Sequence, residues 1–214
     1  MIVGFSSRGT GGGSGPVEYL TDKNRQGRNE NPPSVLRGSP KATEQLIDSL
    51  DFKHKYTSGV LSFAPNEKVT KEMEQAIMDR FEAVAFAGLE SDQYNILWVR
   101  HEHANHHELH FVTPRVELSS GKSLNIRPPG ELAKQTFDDF RSEVNARYGF
   151  ADPDDPKRAR EINQPNHLLK IAAESLRNGD KPEDDVRLLV NEIIAERAIE
   201  GLISNRADVI SHVK

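Results

Sequence analysis

The stretch of sequence that decides the fold is HEHANHHELH at residues 101–110, which contains five of the eight histidines in the chain. Apolar segments flank it on both sides, with YNILWV at 94–99 and FVTPRV at 111–116. Both segments have the composition of β-strands, and the polar residues between them are typical of a turn. The stretch therefore predicts two antiparallel strands joined through a histidine-rich connection.

Two histidines and a glutamate of this stretch form a candidate metal site. Because side chains alternate along a strand, Glu108 and His110 are predicted to share one face, and antiparallel pairing can bring His101 beside them. Such a site keeps open positions for water and substrate, and its mixed N and O ligands suit Mn²⁺, Mg²⁺ or Zn²⁺. The absence of a thiolate ligand argues against a purely structural zinc site. A merely solvated histidine-rich turn is the alternative. Placement at facing strand ends favours the metal site, since a sheet fixes ligand geometry.

The composition limits the classes of protein to consider. The 214 residues are 36% hydrophobic and 29% charged, which suits one domain with an appendage. No apolar run approaches the roughly 18–20 residues of a membrane helix, so membrane insertion is not expected. The first residues lack the pattern of a signal peptide. The absence of cysteine excludes disulfides and cysteine-based zinc sites or nucleophiles. We therefore expect a cytoplasmic protein.

Charge is unevenly distributed along the chain. The formal net charge is −5, yet residues 1–60 contain eight Lys or Arg against six Asp or Glu. An acidic chain does not coat nucleic acid with its whole surface. A nucleic-acid-binding surface is therefore expected to be local and to draw on the N-terminal third.

A glycine-rich run, GTGGGSG at 9–15, follows a short strand predicted at 2–8. The run either lets the backbone approach a phosphate or serves as a flexible connector, and it fits neither common nucleotide-binding glycine motif. Pro16 then marks the start of a helix, which puts Tyr19 in the first turn, where the helix dipole favours a phosphate. A packing role for Tyr19 is the alternative. The polar residues 21–35 predict a mobile loop that orders on a ligand.

Helical and strand patterns alternate through the rest of the sheet-forming region. Helices are predicted over 40–50, 67–86 and 132–148, with Gly149 as a terminator, and further strands over 56–63 and 123–127. The order of elements predicts an α/β fold with two layers and a mainly antiparallel central sheet.

A change of composition divides the chain near residue 150. An Asp- and Pro-rich linker is predicted at 151–156, between a first domain at 1–150 and a helical extension at 157–214. The extension either covers the sheet domain or forms a subdomain over a substrate.

A tyrosine together with a divalent metal suggests phosphoryl transfer from nucleic acid. The phenolate oxygen would attack a phosphodiester, while the metal neutralises the non-bridging oxygens and helps to expel the 3′-oxygen. The products would be a 5′-phosphotyrosine and a 3′-OH, and the step could reverse to reseal the strand.

The sequence resembles the plasmid mobilisation relaxases of the MobA/MbeA branch, within the HUH-type single-tyrosine endonuclease superfamily. The matching motifs are GGGSGPVEYL at 11–20, YTSGVLSF at 56–63, ILWVRH at 96–101 and ELHFV at 108–112. They occur in family order, and the resemblance spans about residues 1–155. The resemblance implies an HUH-like relaxase domain that nicks and transfers one DNA strand at a plasmid origin of transfer, and so initiates and terminates conjugative mobilisation.

The resemblance also implies roles for individual residues. Tyr19 takes the position of the nicking tyrosine, and His101, Glu108 and His110 take the three metal positions. The superfamily usually has three histidines there and this branch often has His, Glu and Asn, so the present set is intermediate. Mn²⁺ or Mg²⁺ is the expected cofactor, and Co²⁺, Ni²⁺ and Zn²⁺ are also compatible. Compared with a site that contains asparagine, a second imidazole favours Mn²⁺, Co²⁺, Ni²⁺ or Zn²⁺ over Mg²⁺.

Two more residues of the histidine-rich stretch have an open assignment. His103 and Glu102 either orient the ligands from outside the metal site or merely solvate the turn. The sequence does not identify a base for Tyr19.

The implied partner is hairpin and single-stranded DNA at the origin of transfer, together with accessory mobilisation proteins and a coupling protein. The helical extension would then pack over the DNA-binding cleft. The candidate DNA contacts are basic residues of the N-terminal third: Arg8, Arg25, Arg28, Arg37, Lys53 and Lys55. Arginine also suits bidentate base contact.

Three alternative functions use the same residues differently. A rolling-circle replication initiator or transposase would share the chemistry, although a tyrosine that precedes the metal motif favours a relaxase. A non-catalytic DNA-binding scaffold of the transfer complex would keep the fold without the chemistry. A tyrosine-independent metallo-phosphodiesterase would remain active without Tyr19.

Overall fold

The computed structural model describes residues 1–7, 9–25, 28, 30–65, 67–103, 106–155, 174, 186–203 and 208. The chain divides into two units, Met1–Pro153 and Asp154–Lys214. The first unit contains the sheet, and the described part of the second contains one long helix. Most of the predicted extension 157–214 lies outside the described residues, so the domain boundaries stay a prediction. Among the described residues, no helix has both the length and the apolar character of a membrane span.

A five-stranded sheet forms the centre of the first unit. Its strands are β1 (Ile2–Phe5), β2 (Ser34–Arg37), β3 (Tyr56–Ser62), β4 (Leu97–His103) and β5 (His106–Pro114). Their spatial order is β1-β3-β5-β4-β2, and every neighbouring pair is antiparallel. The strands β3, β4 and β5 are therefore central, which confirms the predicted antiparallel sheet.

Within the described residues, five helices accompany the strands: α1 (Ser14–Thr21), α2 (Pro40–Ser49), α3 (Lys71–Ala85), α4 (Glu131–Tyr148) and, in the second unit, α5 (Val186–Ile199). Local chemistry sets their ends. The Ser39 and Thr70 hydroxyls accept bonds from the first-turn amides of α2 and α3, as is usual for N-caps. Gly149 ends α4 with a φ of 68°, which glycine adopts readily.

The helices of the first unit cover both faces of the sheet. Aromatic residues of α3 and α4 pack on one face, where the Phe81 ring centroid lies 5.2 Å from that of Trp98 and 4.7 Å from that of Phe111. Smaller residues of α1 and α2 pack on the other face, and this second core comprises Val17, Leu20, Ile47, Tyr56, Leu97, Val99 and Val112. The sheet with α3 and α4 forms the two predicted layers, and α1 and α2 add a third.

Three local expectations were wrong. Residues 34–37 form β2, an edge strand paired with β4, although they overlap the predicted loop 21–35. The predicted strand 123–127 is reduced to a single bridge between Val116 and Ser123. The chain turns away there because the Asn125 side-chain oxygen accepts a bond from the Arg127 amide, a local bond that competes with strand pairing.

The third difference concerns the histidine-rich stretch itself. The expected turn between residues 99 and 111 is much shorter, because β4 continues to His103 and β5 starts at His106. The histidines and Glu108 therefore lie on paired strands, where the sheet determines which way each side chain points.

Candidate active site

The pairing of β4 with β5 brings two histidines and a glutamate together on the α1/α2 face of the sheet. His101 lies directly opposite Glu108 in the register, and His110 follows Glu108 by two residues on the same face. One possible ligand atom from each of these three residues lies within 4.8 Å of the other two. His101 and His110 are buried, with 3% and 8% of their surface exposed.

A backbone carbonyl fixes the orientation of the His101 ring. The His101 Nε2 atom lies 2.8 Å from the Leu20 carbonyl oxygen, which can only accept, so Nε2 carries the hydrogen. In the neutral ring, Nδ1 then keeps its lone pair for a ligand. Burial lowers the pKa of His101 to about 4, against the smaller raising effect of the bond to Leu20. The ring is therefore neutral at pH 7, as metal ligation requires.

Glu108 links the second histidine to the cluster. Its Oε2 atom lies 3.0 Å from His110 Nε2, and its Oε1 atom accepts a bond of 3.2 Å from the Ser62 hydroxyl. Ser62 lies opposite Glu108 in the pairing of β3 with β5. Neither Ser62 nor the Leu20 carbonyl was among the expected site residues. The register with Glu108 could have pointed to Ser62, whereas a carbonyl contact has no signal in sequence.

The donor set fits a catalytic type of divalent metal site. Bonds of about 2.0–2.2 Å to one ion hold its donors no more than about 4.4 Å apart, so small side-chain rotations would close this cluster. Three protein ligands leave open positions for water or substrate. The carbonyl bond to His101 and the hydroxyl bond to Glu108 are the outer contacts that commonly orient metal ligands.

Tyr19 lies beside this cluster. Its ring centroid is 6.4 Å from that of His101 and 6.2 Å from that of His110, and its side chain is 49% exposed. The expected place of Tyr19 in the first helical turn was wrong. α1 already begins at Ser14, so Tyr19 is the sixth of its eight residues. The positive end of the helix dipole therefore does not act at Tyr19, and a phosphate there needs other cations.

Two arginines supply positive charge next to Tyr19. The Arg25 and Arg28 guanidinium carbons lie 4.8 Å and 5.3 Å from the Tyr19 ring centroid, within cation–π range. Arg28 Nη1 donates to the carbonyl oxygens of Tyr19 (2.7 Å) and Asp22 (3.1 Å), and Arg28 Nη2 lies 3.4 Å from His101 Nδ1. The Arg28 guanidinium thus lies between the tyrosine and a candidate metal ligand.

The other expected contacts lie elsewhere. Arg37 pairs with Asp79 (2.7 Å) and Glu82 (2.6 Å) of α3, so its charge is already neutralised within the fold. Lys53 and Lys55 precede β3 at the end of the sheet away from His110, which pairs with Val60. Arg8 lies outside the described residues.

Glu102 does not join the three ligands in the described structure. Glu102 lies on the α3/α4 face of the sheet, where it contacts Arg100 (3.8 Å) and His107 (3.4 Å). The backbone of His103 ends β4, and its side chain lies outside the described part of the chain.

Comparison with known proteins places the chain among the relaxases. The family model "Relaxase: MobA/VirD2-like, nuclease domain" matches residues 24–150. The chain belongs to this family, which confirms the resemblance seen in its sequence motifs. The matched segment contains the three clustered residues and begins five positions after Tyr19.

Two curated relatives extend this result. The chain is 44% identical over 176 residues to "Cryptic plasmid protein C" of Neisseria gonorrhoeae, covering 82% of this chain and 83% of that protein. It is also 44% identical over 171 residues to "DNA relaxase MbeA" of Escherichia coli, covering 78% of this chain but 32% of MbeA. No solved structure matches the chain.

Proposed function

We propose that the protein nicks one strand of plasmid DNA at an origin of transfer and later reseals it, through a 5′-phosphotyrosyl bond on Tyr19. The observation that carries the proposal is the approach of the exposed Tyr19 ring to His101 and His110, with centroid distances of 6.4 Å and 6.2 Å. Membership of the relaxase nuclease family and 44% identity to a DNA relaxase support it.

The proposed reaction exchanges one phosphoester bond for another. The Tyr19 phenolic oxygen forms a bond to phosphorus as it loses its proton, and the bond from phosphorus to the 3′-oxygen breaks. The leaving oxygen takes up a proton and becomes a 3′-OH. Since a phosphodiester is retained, the 3′-OH can attack the phosphotyrosine and restore the strand.

The cluster of His101, Glu108 and His110 is the proposed metal site. A divalent ion bound there would neutralise the non-bridging phosphate oxygens and stabilise the departing 3′-oxygen. The chain's own contribution is to hold the His101 imidazole neutral through burial and oriented through the Leu20 carbonyl. Mn²⁺ or Mg²⁺ is the proposed ion, with Co²⁺, Ni²⁺ and Zn²⁺ also compatible with the ligands.

Arg25 and Arg28 are the proposed phosphate-orienting residues of the site. Both guanidinium groups lie against the Tyr19 ring, and Arg28 is anchored by two carbonyl oxygens at the end of α1. An arginine fork can contact two phosphate oxygens at once. The two arginines would thus hold the scissile phosphate over the phenolic oxygen, a task that the helix dipole does not perform here.

The wider setting of the reaction is also proposed. The substrate would be hairpin and single-stranded DNA at the origin of transfer, in the bacterial cytoplasm, with accessory mobilisation proteins and a coupling protein as partners. The second unit of the chain would pack over the bound DNA.

A covalent-adduct assay tests the proposal. The protein is incubated with Mn²⁺ and a labelled single-stranded oligonucleotide that carries the nick site of its own plasmid, and the adduct is resolved on a denaturing gel. We expect an adduct with the wild type and with Tyr148→Phe, a control on α4, and none with Tyr19→Phe or His101→Ala. Cleavage that survives in Tyr19→Phe would indicate a water-dependent phosphodiesterase. Tight binding without cleavage would indicate a DNA-binding scaffold.

A further inference from the structure

A basic cleft lies at the end of the sheet away from the candidate active site. It has a volume of about 490 Å³ and is lined by His54, Arg115, Asn125, Arg127, Pro128, Pro129 and Gly130. Arg115 directly follows β5, five residues beyond His110, a separation of about 17 Å at the rise of an antiparallel strand. The cleft is therefore a separate surface from the one that carries Tyr19.

In the part of the chain that the structure describes, the charge of the cleft has no acidic counterpart. Its lining includes two arginines and a histidine but no aspartate or glutamate, in a chain of net charge −5. Among the described residues, neither Arg115 nor Arg127 has a carboxylate oxygen within ion-pair distance. Burial lowers the pKa of Arg115, and no acidic group of the described residues acts on it in the opposite direction. A partly buried guanidinium without an anion is unusual, and a bound anion would stabilise it.

Neighbouring groups hold both guanidinium groups in place. Arg115 Nε donates a bond of 2.9 Å to the Thr57 hydroxyl. The Arg127 guanidinium carbon lies 4.8 Å from the centroid of the Phe5 ring, which itself packs on Phe111. Two consecutive prolines follow Arg127 and restrict the backbone of the rim. The charges are thus pre-organised, which lowers the entropic cost of binding a ligand.

The lining chemistry favours a nucleic-acid backbone over a nucleotide. No aromatic ring lines the cleft for a base to stack on, and Asn125 is its only side-chain amide. His54 and Arg127 are exposed, and Lys53 and Lys55 flank His54 in the chain, so positive charge continues past the rim. A row of phosphates matches such an extended, open cationic surface.

We propose that the basic cleft binds phosphodiester groups of the same DNA strand that the candidate active site nicks, several nucleotides from the scissile phosphate. This inference rests on the proposed function for the identity of the DNA, and it assigns the cleft to affinity and placement, separate from the chemistry. Arg115 and Arg127 each contact a phosphate, and His54 and Asn125 border the path of the strand.

The test measures how DNA affinity depends on salt. The full chain is titrated against fluorescein-labelled dT30 in fluorescence anisotropy at several NaCl concentrations. For single strands, each phosphate contact contributes about 0.7 to the slope of log affinity against log salt, so Arg115→Gln/Arg127→Gln should lower the slope by about 1.4. Should the double variant unfold, Arg127→Gln alone, on an exposed residue, should lower it by about 0.7.

A matched control separates the cleft from net charge. Arg80→Gln/Arg147→Gln removes two charges from guanidinium groups that both pair with Glu143, and it should keep the wild-type slope. An unchanged slope in both the double cleft variant and Arg127→Gln, or an equal fall in the control, would overturn the proposal. Tyr19→Phe should keep the full slope, so a failure of the nicking chemistry is distinguished from a failure of the cleft.

Discussion

The two faces of the β4–β5 hairpin carry similar residues in opposite circumstances. On the α1/α2 face, His110 Nε2 lies 3.0 Å from the Glu108 carboxylate. On the α3/α4 face, His107 Nε2 lies 3.0 Å from the Glu74 carboxylate, within ion-pair distance although its N–H is not aligned for a hydrogen bond. Glu74 is only 2% exposed and also bonds Arg100 at 3.2 Å.

The difference between the faces lies in what completes each cluster. The Arg100 guanidinium on β4 and the helix α3 close the cluster around Glu74. The Phe63 ring packs against His107, with 5.4 Å between the ring centroids. The cluster around Glu108 has a second imidazole opposite the carboxylate, with the Arg28 guanidinium 3.4 Å from His101 Nδ1, and it borders the exposed Tyr19. The first arrangement is closed by its own ionic partners, whereas the second has the donor set of the proposed metal site. A histidine count alone does not distinguish them.

The largest expected effect separates the histidines of the two faces. His101→Ala removes a proposed ligand and should weaken Mn²⁺ binding by at least about 100-fold, which exceeds the usual effect of losing an outer contact. His107→Ala, on the other face, should leave Mn²⁺ affinity nearly unchanged while lowering stability. Isothermal titration with Mn²⁺ measures both, with circular dichroism as the check on folding. Equal loss of affinity in the two variants would contradict the assignment.

The second effect should appear in stability. Glu74→Ala leaves Arg100 and His107 without their buried carboxylate. Breaking a buried pair costs several kcal/mol, but Arg100 is partly exposed, so we expect a loss of about 2 kcal/mol in the free energy of unfolding. Glu102→Ala, on the exposed rim of the same network, should change it by less than about 0.5 kcal/mol. Urea unfolding of both variants measures the difference, and a similar small loss in each would show that the network is not structural.

The smallest effect concerns metal preference. His110→Asn replaces an imidazole with an amide oxygen, a harder ligand that Mg²⁺ tolerates better than Mn²⁺, Co²⁺, Ni²⁺ or Zn²⁺ do. The ratio of Mn²⁺ to Mg²⁺ affinity should therefore fall, which competition titrations can measure. An unchanged ratio, with both ions still binding, would remove His110 from the ligand set.

Much of the site could be predicted because it depends on strand periodicity. Alternation put Glu108 and His110 on one face, and antiparallel pairing brought His101 opposite Glu108. The helices α2, α3 and α4 were also visible, since their apolar spacing and end residues are local signals. Short elements were harder to predict from sequence. The strand β2 has only four residues, which follow two prolines, and it depends on its pairing with β4.

Other features depended on contacts between distant residues. The position of Tyr19 within α1 depends on where the helix starts, and the glycine-rich run hid that start at Ser14. Arg37 resembled a DNA contact in sequence but pairs with two carboxylates of α3. Glu102 resembled a partner of the metal ligands, yet it follows His101 by one residue and so points to the other face.

The sequence by itself determined the family, the antiparallel sheet and the alternation that groups His101, Glu108 and His110, because these follow from motifs and from the two-residue period of a strand. Only the tertiary structure decided which polar residues are neutralised within the fold, how the Leu20 carbonyl orients His101, and that the basic cleft lacks an acidic partner among the described residues. Those outcomes depend on distances between residues far apart in the chain, and electrostatic and hydrogen-bond energies change steeply over a few ångströms.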